Sequence, residues 1–412
     1  MDKQPKENPV TVIGLGISPQ ELTKVQKGAI QKADIIIGGR RQLSYFGDLP
    51  AEKKVIDRDI AGIIAYIRDK MRSRRIVVLA SGDPLFYGIG ATLAQVLDDE
   101  QLVIIPNVTS VAAAFSRINI PWHDARIVSL HGRKRTDAAL AALVENPKVA
   151  LLTDPGHTPA HLAQRMCLFG LVDYRLWVFE QLGLPGERFG CYTPHEAADK
   201  TFKNPNLVVC LADSPGDHAK GSLYLGMPDS GFEHRNGLIT KTEVRAVTLA
   251  KLRLRPHHVM WDLGAGSGSV SIEASLLVRT GRVIAVEKHP ERIRQIRANK
   301  RRFRAFNVEI VQAVLPNGLA DLPAPDRIFI GGGGRNLDKI MTSAVSRLKP
   351  GGRVVVNTVL MESMDTARET FRALGYETQI VQVQINASRQ MSGGRRLAAQ
   401  NPVWIVTGWK ES

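Results

Sequence analysis

One segment constrains the fold of this chain more than any other: Val259-Met260-Trp261-Asp262-Leu263-Gly264-Ala265-Gly266-Ser267-Gly268-Ser269. An apolar run suited to a buried strand ends in a carboxylate and enters a glycine-rich turn. The helix-forming Val270-Ser271-Ile272-Glu273-Ala274 follows. A strand, a bare-backbone turn and a helix in this order let a ligand lie directly against the main chain. A turn of this kind requires an α/β sheet around it.

The glycines are spaced Gly-x-Gly-x-Gly, which fits a dinucleotide fingerprint only superficially. The acid before the turn suits a cationic ligand. S-adenosylmethionine has an ammonium and a sulfonium and no pyrophosphate to seat at a helix N-terminus. The next strand, Gly281-Arg282-Val283-Ile284-Ala285-Val286-Glu287, ends in a second carboxylate. Glu287 lies 23 residues beyond Gly264, where an acid can bridge ribose hydroxyls. Asp262, Gly264, Ala265, Gly266, Ser267, Gly268 and Glu287 are therefore the expected cofactor-binding set.

The rest of the chain repeats the alternation of short β-rich runs with helical segments. Strands are expected at 10–16, 35–37, 76–80 and 102–106, then at 126–130, 149–153, 175–180 and 207–212. Leu22, Val25, Ala29 and Ile30 give a helical pattern after the first strand. Residues 1–213 read as one two-lobed unit of parallel α/β type, its lobes meeting near 111–124. Residues 214–224 are turn-forming and polar, the composition of a linker. A second α/β domain follows over 225–412, with strands near 258–263, 282–287, 307–312, 326–330, 353–357, 377–384 and 402–407. No internal repeat or low-complexity tract is seen.

Charge narrows the partners. The chain has 55 Lys plus Arg against 40 Asp plus Glu, a net charge of +15. This favours a polyanion: nucleic acid, an anionic surface, or a substrate with several carboxylates or phosphates. Cys167, Cys191 and Cys210 are odd in number and far apart, which argues against disulfides and structural zinc and fits a reducing cytosol. No apolar stretch is long enough to span a bilayer. A cytoplasmic location, no membrane and no metal are expected. His257-His258 lacks any accompanying Cys/His/Asp cluster.

Further motifs carry a resemblance. Leu238-Ile239-Thr240-Lys241-Thr242-Glu243-Val244-Arg245 precedes the glycine turn, and Asp326-Arg327-Ile328-Phe329-Ile330 leads into Gly331-Gly332-Gly333-Gly334. Asn357, Glu362, Ser388-Arg389 and Asn401-Pro402-Val403 come later. Over 225–412 this series resembles the decarboxylating precorrin methyltransferases of cobalamin biosynthesis, on a Rossmann-like class I methyltransferase fold. The resemblance adds Thr240 and Ala313 to the cofactor set. It makes His234, Arg235, Gly331, Gly332, Gly333, Gly334 and Asn336 substrate contacts, and Arg335, Asn357 and Arg389 the catalytic candidates.

The N-terminal half opens with Gly14-Leu15-Gly16, has Gly82-Asp83-Pro84 after its third strand, and Asn107-Val108-Thr109-Ser110 before an Ala-rich helix. With Ile36-Ile37-Gly38-Gly39-Arg40-Arg41-Gln42-Leu43 and Leu85-Phe86-Tyr87-Gly88, these resemble the tetrapyrrole methylases, the class III methyltransferases. The resemblance implies a cofactor folded between two lobes, with Gly16, Gly82, Asp83, Leu85, Thr109 and Ser110 around it. The usual first loop is Gly-x-Gly-Pro-Gly; here it reads Gly14-Leu15-Gly16-Ile17-Ser18-Pro19.

Two unrelated methyltransferase folds in one chain imply one activity on a corrin precursor. Methyl groups would pass from S-adenosylmethionine to carbon 5 through the first domain and to carbon 15 through the second. The second would also decarboxylate the ring C acetate. Methyl transfer to an electron-rich meso carbon needs mainly alignment, and no Ser-His-Asp or Cys-His arrangement stands out. The polycarboxylate tetrapyrrole accounts for the basic charge, because arginine forks bind carboxylates bidentately. Arg292, Arg294, Arg297, Lys300, Arg301, Arg302 and Arg304 crowd one helix, whose stripe Ile293, Ile296 and Phe303 should be buried. They read as a solvated face. An RNA methyltransferase is the alternative. The missing Asn/Asp-Pro-Pro-aromatic motif and the absence of an aromatic-rich RNA-binding module speak against it, so no nucleic-acid partner is expected. A cofactor-binding chain without turnover is the third reading. Members of the C-terminal family commonly form tetramers, so a homo-oligomer is expected.

Overall fold

The computed structural model describes residues 9–57, 59–131, 137–213, 223–235, 237–332 and 334–410. The chain divides into two compact units, residues 1–167 with 171–215, and residues 168–170 with 216–412.

The first unit begins with a parallel sheet of β1 (Val10–Gly14), β2 (Ile35–Gly38), β3 (Glu52–Val55), β4 (Ile76–Ala80) and β5 (Leu102–Ile105), in the order β3-β2-β4-β1-β5. The strands are continuous apolar runs because both faces are covered. Val12, Ile35, Ile37 and Val78 pack on one side, and Ile13, Ile36, Val77 and Leu79 on the other. The edge strand β3 reads Glu-Lys-Lys-Val, a charged edge that apolar patterning does not reveal. The first helix, Lys24–Gln31, starts from a Thr23–Gln26 capping box, so Leu22 precedes it. Its buried face is Gln26 and Ile30, while Val25 is 72% exposed, contrary to the expected stripe.

The second lobe holds β6 (Arg126–Ser129), β7 (Lys148–Leu152), β8 (Tyr174–Glu180), β9 (Arg188–Tyr192) and β10 (Asn206–Ala212), ordered β6-β7-β10-β8-β9. Here the parallel expectation is corrected. Only β6 and β7 run parallel; the β7–β10, β10–β8 and β8–β9 pairs are antiparallel. The connection from β8 to β9 is too short for a crossover helix, so the chain turns back on itself.

The second unit is a seven-stranded sheet ordered β13-β12-β11-β14-β15-β19-β16. Its strands are β11 (Val259–Leu263), β12 (Arg282–Glu287), β13 (Val308–Gln312), β14 (Arg327–Ile330), β15 (Arg353–Thr358), β16 (Glu377–Val383) and, last in the chain, β19 (Val403–Trp409). The five from β13 to β15 are parallel, and β19 is antiparallel to both its neighbours. Between β16 and β19 lies a separate hairpin, β17 (Asn386–Met391) and β18 (Gly394–Ala399), which sequence patterning did not reveal. Of the expected linker, 214–222 lie outside the described residues. Leu223 already packs against this unit's core.

Candidate functional site

In an open parallel sheet, ligands bind at the carboxyl ends of strands, where neighbouring connections part to opposite faces. In the second unit that point lies between β11 and β14. The turn after β11 is built from Gly264, Gly266 and Gly268, with φ of 77°, 59° and 79°. Gly264 and Ala265 donate their N–H groups to the Val286 carbonyl at 3.0 Å. A side chain at Gly268 would come within 3.0 Å of Ile296, so glycine is required there for conformation and for space. The loop after β14 closes on the same turn. The Gly331 N–H donates to the Leu263 carbonyl at 3.1 Å, and Gly332 O stands 3.1 Å from where a Gly264 Cβ would sit. Gly333 lies outside the described residues.

Two carboxylates govern this turn differently. Glu287 is nearly buried. Its Oε2 accepts the Gly266 N–H at 2.9 Å, and its Oε1 accepts those of Lys288 and His289 at 2.9 and 3.0 Å. It shapes the turn and keeps one acceptor position for a ligand. Asp262 is fully buried beneath the turn. Its Oδ2 accepts the Ser271 hydroxyl at 2.5 Å, while Oδ1 is buried with no partner among the described residues. Burial pushes its pKa up to about 7; the Ser271 hydrogen bond opposes this and the nearby charge of Glu287 adds to it. A buried acceptor with an unmet lone pair, behind an open glycine turn, fits a ligand bearing positive charge. Ala313 follows β13 and donates its N–H to the Glu287 carbonyl at 3.2 Å.

The segment from Gly226 to Thr242 runs over this turn and is pinned by buried polar groups. Glu273 accepts the N–H groups of Gly226 and Met227, both at 3.0 Å. Arg245, wholly buried, donates to Glu273 Oε1 at 2.7 Å and to the Thr240 carbonyl at 2.5 Å, and also to the Met227 carbonyl. Asn299 accepts the Glu233 N–H at 2.7 Å and donates to the carbonyls of Glu233 and Ser267, both at 2.9 Å. These ties hold the segment of His234 to the glycine turn, and its Nδ1 is buried without a partner among the described residues. Arg235 is exposed and pairs with Glu291 at 2.8 Å.

The remaining candidates are spread along the same edge. Gly334, Arg335 and Asn336 form one 3-10 turn, with Arg335 exposed. Asn357, at the end of β15, donates to Thr248 Oγ1 at 2.7 Å, and its Oδ1 is buried without a partner among the described residues. Arg389 stands exposed on β17.

In the first unit the loops after β1, β4 and β5 open onto a cleft of about 460 Å³. Gly16, Gly82, Asp83, Thr109 and Ser110 line it, joined by Arg41, Gln42, Tyr45, His131 and Thr153. Gly82 has φ of 59°, and a Cβ there would lie 3.1 Å from Thr109 Cα. Asp83 Oδ1 accepts the Leu85 N–H at 2.8 Å, and Thr109 caps the helix Ser110–Arg117 through the Ala112 N–H. Leu85 follows in the same turn, its side chain 52% exposed and not among the residues lining the cleft.

Sequence reasoning missed Arg245, Glu273 and Asn299 as site-building residues. The only hint was Asn299 falling at a stripe position three beyond Ile296. It also passed over a Cys–His approach, Cys167 Sγ to His195 Nδ1 at 3.6 Å. Burial raises that thiol's pKa, the opposite of an activated nucleophile. Among the described residues no group of three or more His, Cys, Asp or Glu could hold a metal ion, and no helix is long and apolar enough to cross a membrane.

The order of the second sheet, its glycine turn and its paired terminal acids are those of a Rossmann-like class I methyltransferase. The first unit pairs this with a two-lobed ligand cleft. The model of the precorrin methyltransferase domain matches residues 230–410, and that of the tetrapyrrole (corrin/porphyrin) methylases matches 9–193. The chain is 35% identical over 97% of its length to a Sinorhizobium precorrin-6Y C(5,15)-methyltransferase (decarboxylating), covering 93% of that protein. It is 39% identical over 187 residues, 45% of this chain and 95% of the other, to a Pyrobaculum calidifontis protein named probable cobalt-precorrin-6B C(15)-methyltransferase (decarboxylating). A crystal structure named precorrin-6y C5,15-methyltransferase from Geobacter metallireducens is 45% identical over 45% of this chain and 98% of its own, with a TM-score of 0.44. The chain belongs to the precorrin-6Y C(5,15)-methyltransferase (decarboxylating) family.

Proposed function

We propose that this chain methylates precorrin-6Y at carbons 5 and 15 and decarboxylates its ring C acetate, giving precorrin-8 in cobalamin biosynthesis. The observation that carries this reading is the 35% identity to a C(5,15)-methyltransferase along 97% of the chain, which spans both units. The first unit, residues 1–213, is assigned carbon 5. The second, 225–412, is assigned carbon 15 and decarboxylation. The 187-residue alignment to a C(15)-methyltransferase has the length of this second unit alone.

S-adenosylmethionine supplies an electrophilic methyl at each site. In the second unit Glu287 has an acceptor position left for ribose hydroxyls, and the unmet Oδ1 of Asp262 sets a negative charge behind the turn, toward an ammonium. Thr240, Gly264, Ala265, Gly266, Ser267, Gly268 and Ala313 frame that position. In the first unit Gly16, Gly82, Asp83, Thr109 and Ser110 frame the cleft. Of the basic helix, Arg294, Arg297, Arg301 and Arg302 are exposed as a solvated face, whereas Arg292 lies 3.8 Å from Glu287 and belongs to the site.

The reaction asks little covalent chemistry of the protein. A meso carbon of the reduced macrocycle gives the electron pair that bonds the methyl; the methyl–sulfur bond breaks with its pair staying on sulfur as a neutral thioether, and the macrocycle sheds a proton. When the acetate leaves as carbon dioxide, its bonding pair passes into the conjugated ring, and a proton takes its place on the side chain. The chain's residues must align the macrocycle, exclude water and deliver that proton. We assign His234, Arg235, Gly331, Gly332, Gly334 and Asn336 as substrate contacts, and Arg335, Asn357 and Arg389 as the catalytic candidates. The buried Nδ1 of His234 is the candidate proton carrier.

The test is mass spectrometry of the full chain with precorrin-6Y, also called precorrin-6B, and S-adenosylmethionine. Gain of two methyls with loss of carbon dioxide is expected. Unchanged precorrin-6B from folded, cofactor-binding protein would overturn the reading, and RNA would be the next substrate to try. Cytoplasmic residence and a homo-oligomer, a tetramer by family analogy, complete the proposal.

A further inference from the structure

The hairpin β17–β18 is anomalous. Its strands pair only with each other, and nearly every residue in both is exposed. A lone two-stranded hairpin is marginally stable in water, so its presence calls for something that it holds. Its root is ordered: Gln400 donates its N–H to the Ile385 carbonyl at 2.9 Å, and Ile385 packs on the core of the unit. The root also has a defined place. Thr358 pairs with Trp404 and Val383 with Val403, so the hairpin leaves the sheet at the edge where β15 ends in Asn357 and Thr358. That is the edge that carries both glycine loops.

Within the hairpin Arg389 is directly opposite Arg396. Directly opposed residues of an antiparallel pair share a face at about 5 Å between Cβ atoms, and like charges there are destabilising. Neither guanidinium has an acidic partner among the described residues, and no Asp or Glu occurs anywhere from Thr378 to Lys410. Met391, 51% exposed, lies on the same face. The hairpin contains no aromatic residue on which a nucleic-acid base could stack. Two unpaired arginine forks beside an exposed apolar side chain match a ligand with an apolar ring and carboxylate arms, and fit a nucleic acid poorly.

We propose that Arg389 and Arg396 together form a carboxylate receptor that seats acid arms of the tetrapyrrole at the second site, with Arg396 a specificity-determining residue beyond those already assigned. This rests on the proposed function, because it requires a polycarboxylate substrate there. The like-charge pair is then an unfilled anion site that the substrate completes.

The experiment uses the full chain and compares Arg389→Gln, Arg396→Gln and the double variant with precorrin-6B and S-adenosylmethionine. Carbon 15 methylation is followed by mass spectrometry at several salt concentrations. Each single change should raise the KM for carbon 15 methylation about tenfold, the scale of one charge-assisted contact. In Arg396→Gln the kcat and the cofactor affinity should stay near wild type, and Arg396→Lys should recover part of the loss; Arg389→Gln, at a catalytic candidate, should lower kcat as well. Carbon 5 methylation in the same tubes is the internal control. An unchanged KM in the double variant overturns the proposal. So does a loss accompanied by a lower molar mass in light scattering, which would give the hairpin to a second copy of the chain. If the wild-type chain fails to methylate carbon 15 at all, the proposed function fails, and that result is distinct from either.

Discussion

Asn299 donates its side-chain N–H to the Ser267 carbonyl at 2.9 Å, and through its second donor and its acceptor it holds the backbone of Glu233. One buried amide thus fixes the glycine turn and the segment carrying His234 in a single register. Asn299→Asp keeps the acceptor for the Glu233 N–H and loses both donors. Its cofactor affinity should fall about tenfold or more, since a lost buried hydrogen bond leaves carbonyls unmet at about 1–3 kcal/mol. Calorimetric titration on the full chain checks this, and carbon 5 methylation should persist.

Asp262→Asn should separate the two halves of the reaction. The replacement removes the charge behind the turn and spares the burial cost of that charge. Carbon 15 methylation and carbon dioxide release should vanish, while the product still gains one methyl. The melting temperature of the ligand-free protein should not fall. Loss of both methylations from folded protein would refute independent sites.

Gly82→Val should do the reverse. Gly82 has φ of 59°, and its Cβ position lies against Thr109. Left-handed backbone costs a branched residue about 1–2 kcal/mol, and the added methyls enter the cleft. Carbon 5 methylation should be lost, with carbon 15 chemistry intact in the mass spectrum.

The Arg245–Glu273 pair predicts a large stability effect. Both side chains are fully buried. Removing one partner, as in Glu273→Gln, leaves the buried guanidinium with only the partly exposed Asp229 at 3.5 Å as an acidic neighbour, at a cost of at most about 3–5 kcal/mol. Chemical denaturation should show the second unit melting earlier with the first unchanged.

Two buried groups set opposite pH dependences in the second unit. His258 has its pKa pushed down to about 4, chiefly by burial and then by the charge of Arg327, and its Nδ1 accepts the Arg255 N–H at 3.1 Å. A free histidine titrates near 6.5. The folded state therefore binds fewer protons than the unfolded one between about 4 and 6.5, and stability is lost as pH falls through that window. Asp262, raised to about 7, holds a proton that the unfolded chain releases near 4, so its contribution falls as pH rises. In wild type the two largely offset. Asp262→Asn should unmask the histidine, with stability rising from pH 4 to 6.5 in denaturant titrations.

Much of the second site was legible in the chain because its parts are local. The strand ending in Asp262, the three glycines and the strand ending in Glu287 are contiguous segments, and β12 runs over the expected 282–287. What stayed hidden was long-range or lacked an apolar pattern. Arg245 meets Glu273 from 28 residues away, and Asn299 meets Glu233 from 66. Strand β3 is three charges and a valine, and the β17–β18 hairpin has no alternation of apolar and polar residues that marks a half-buried strand. The second lobe's antiparallel pairing escaped because an apolar run announces a buried strand but not its direction.

The unmet oxygen of Asp262 has a consequence for the rhythm of the reaction. In the proposed reading the ammonium and the ribose lie at ends of the donor that methyl transfer does not alter. The spent molecule presents the same two groups to Asp262 and Glu287 as the fresh one, and only the sulfur loses its charge. The turn therefore grips both forms almost alike. Product should accumulate as a competitor, and the pace of the second half-reaction should follow the ratio of donor to spent donor around the enzyme more closely than the donor level itself.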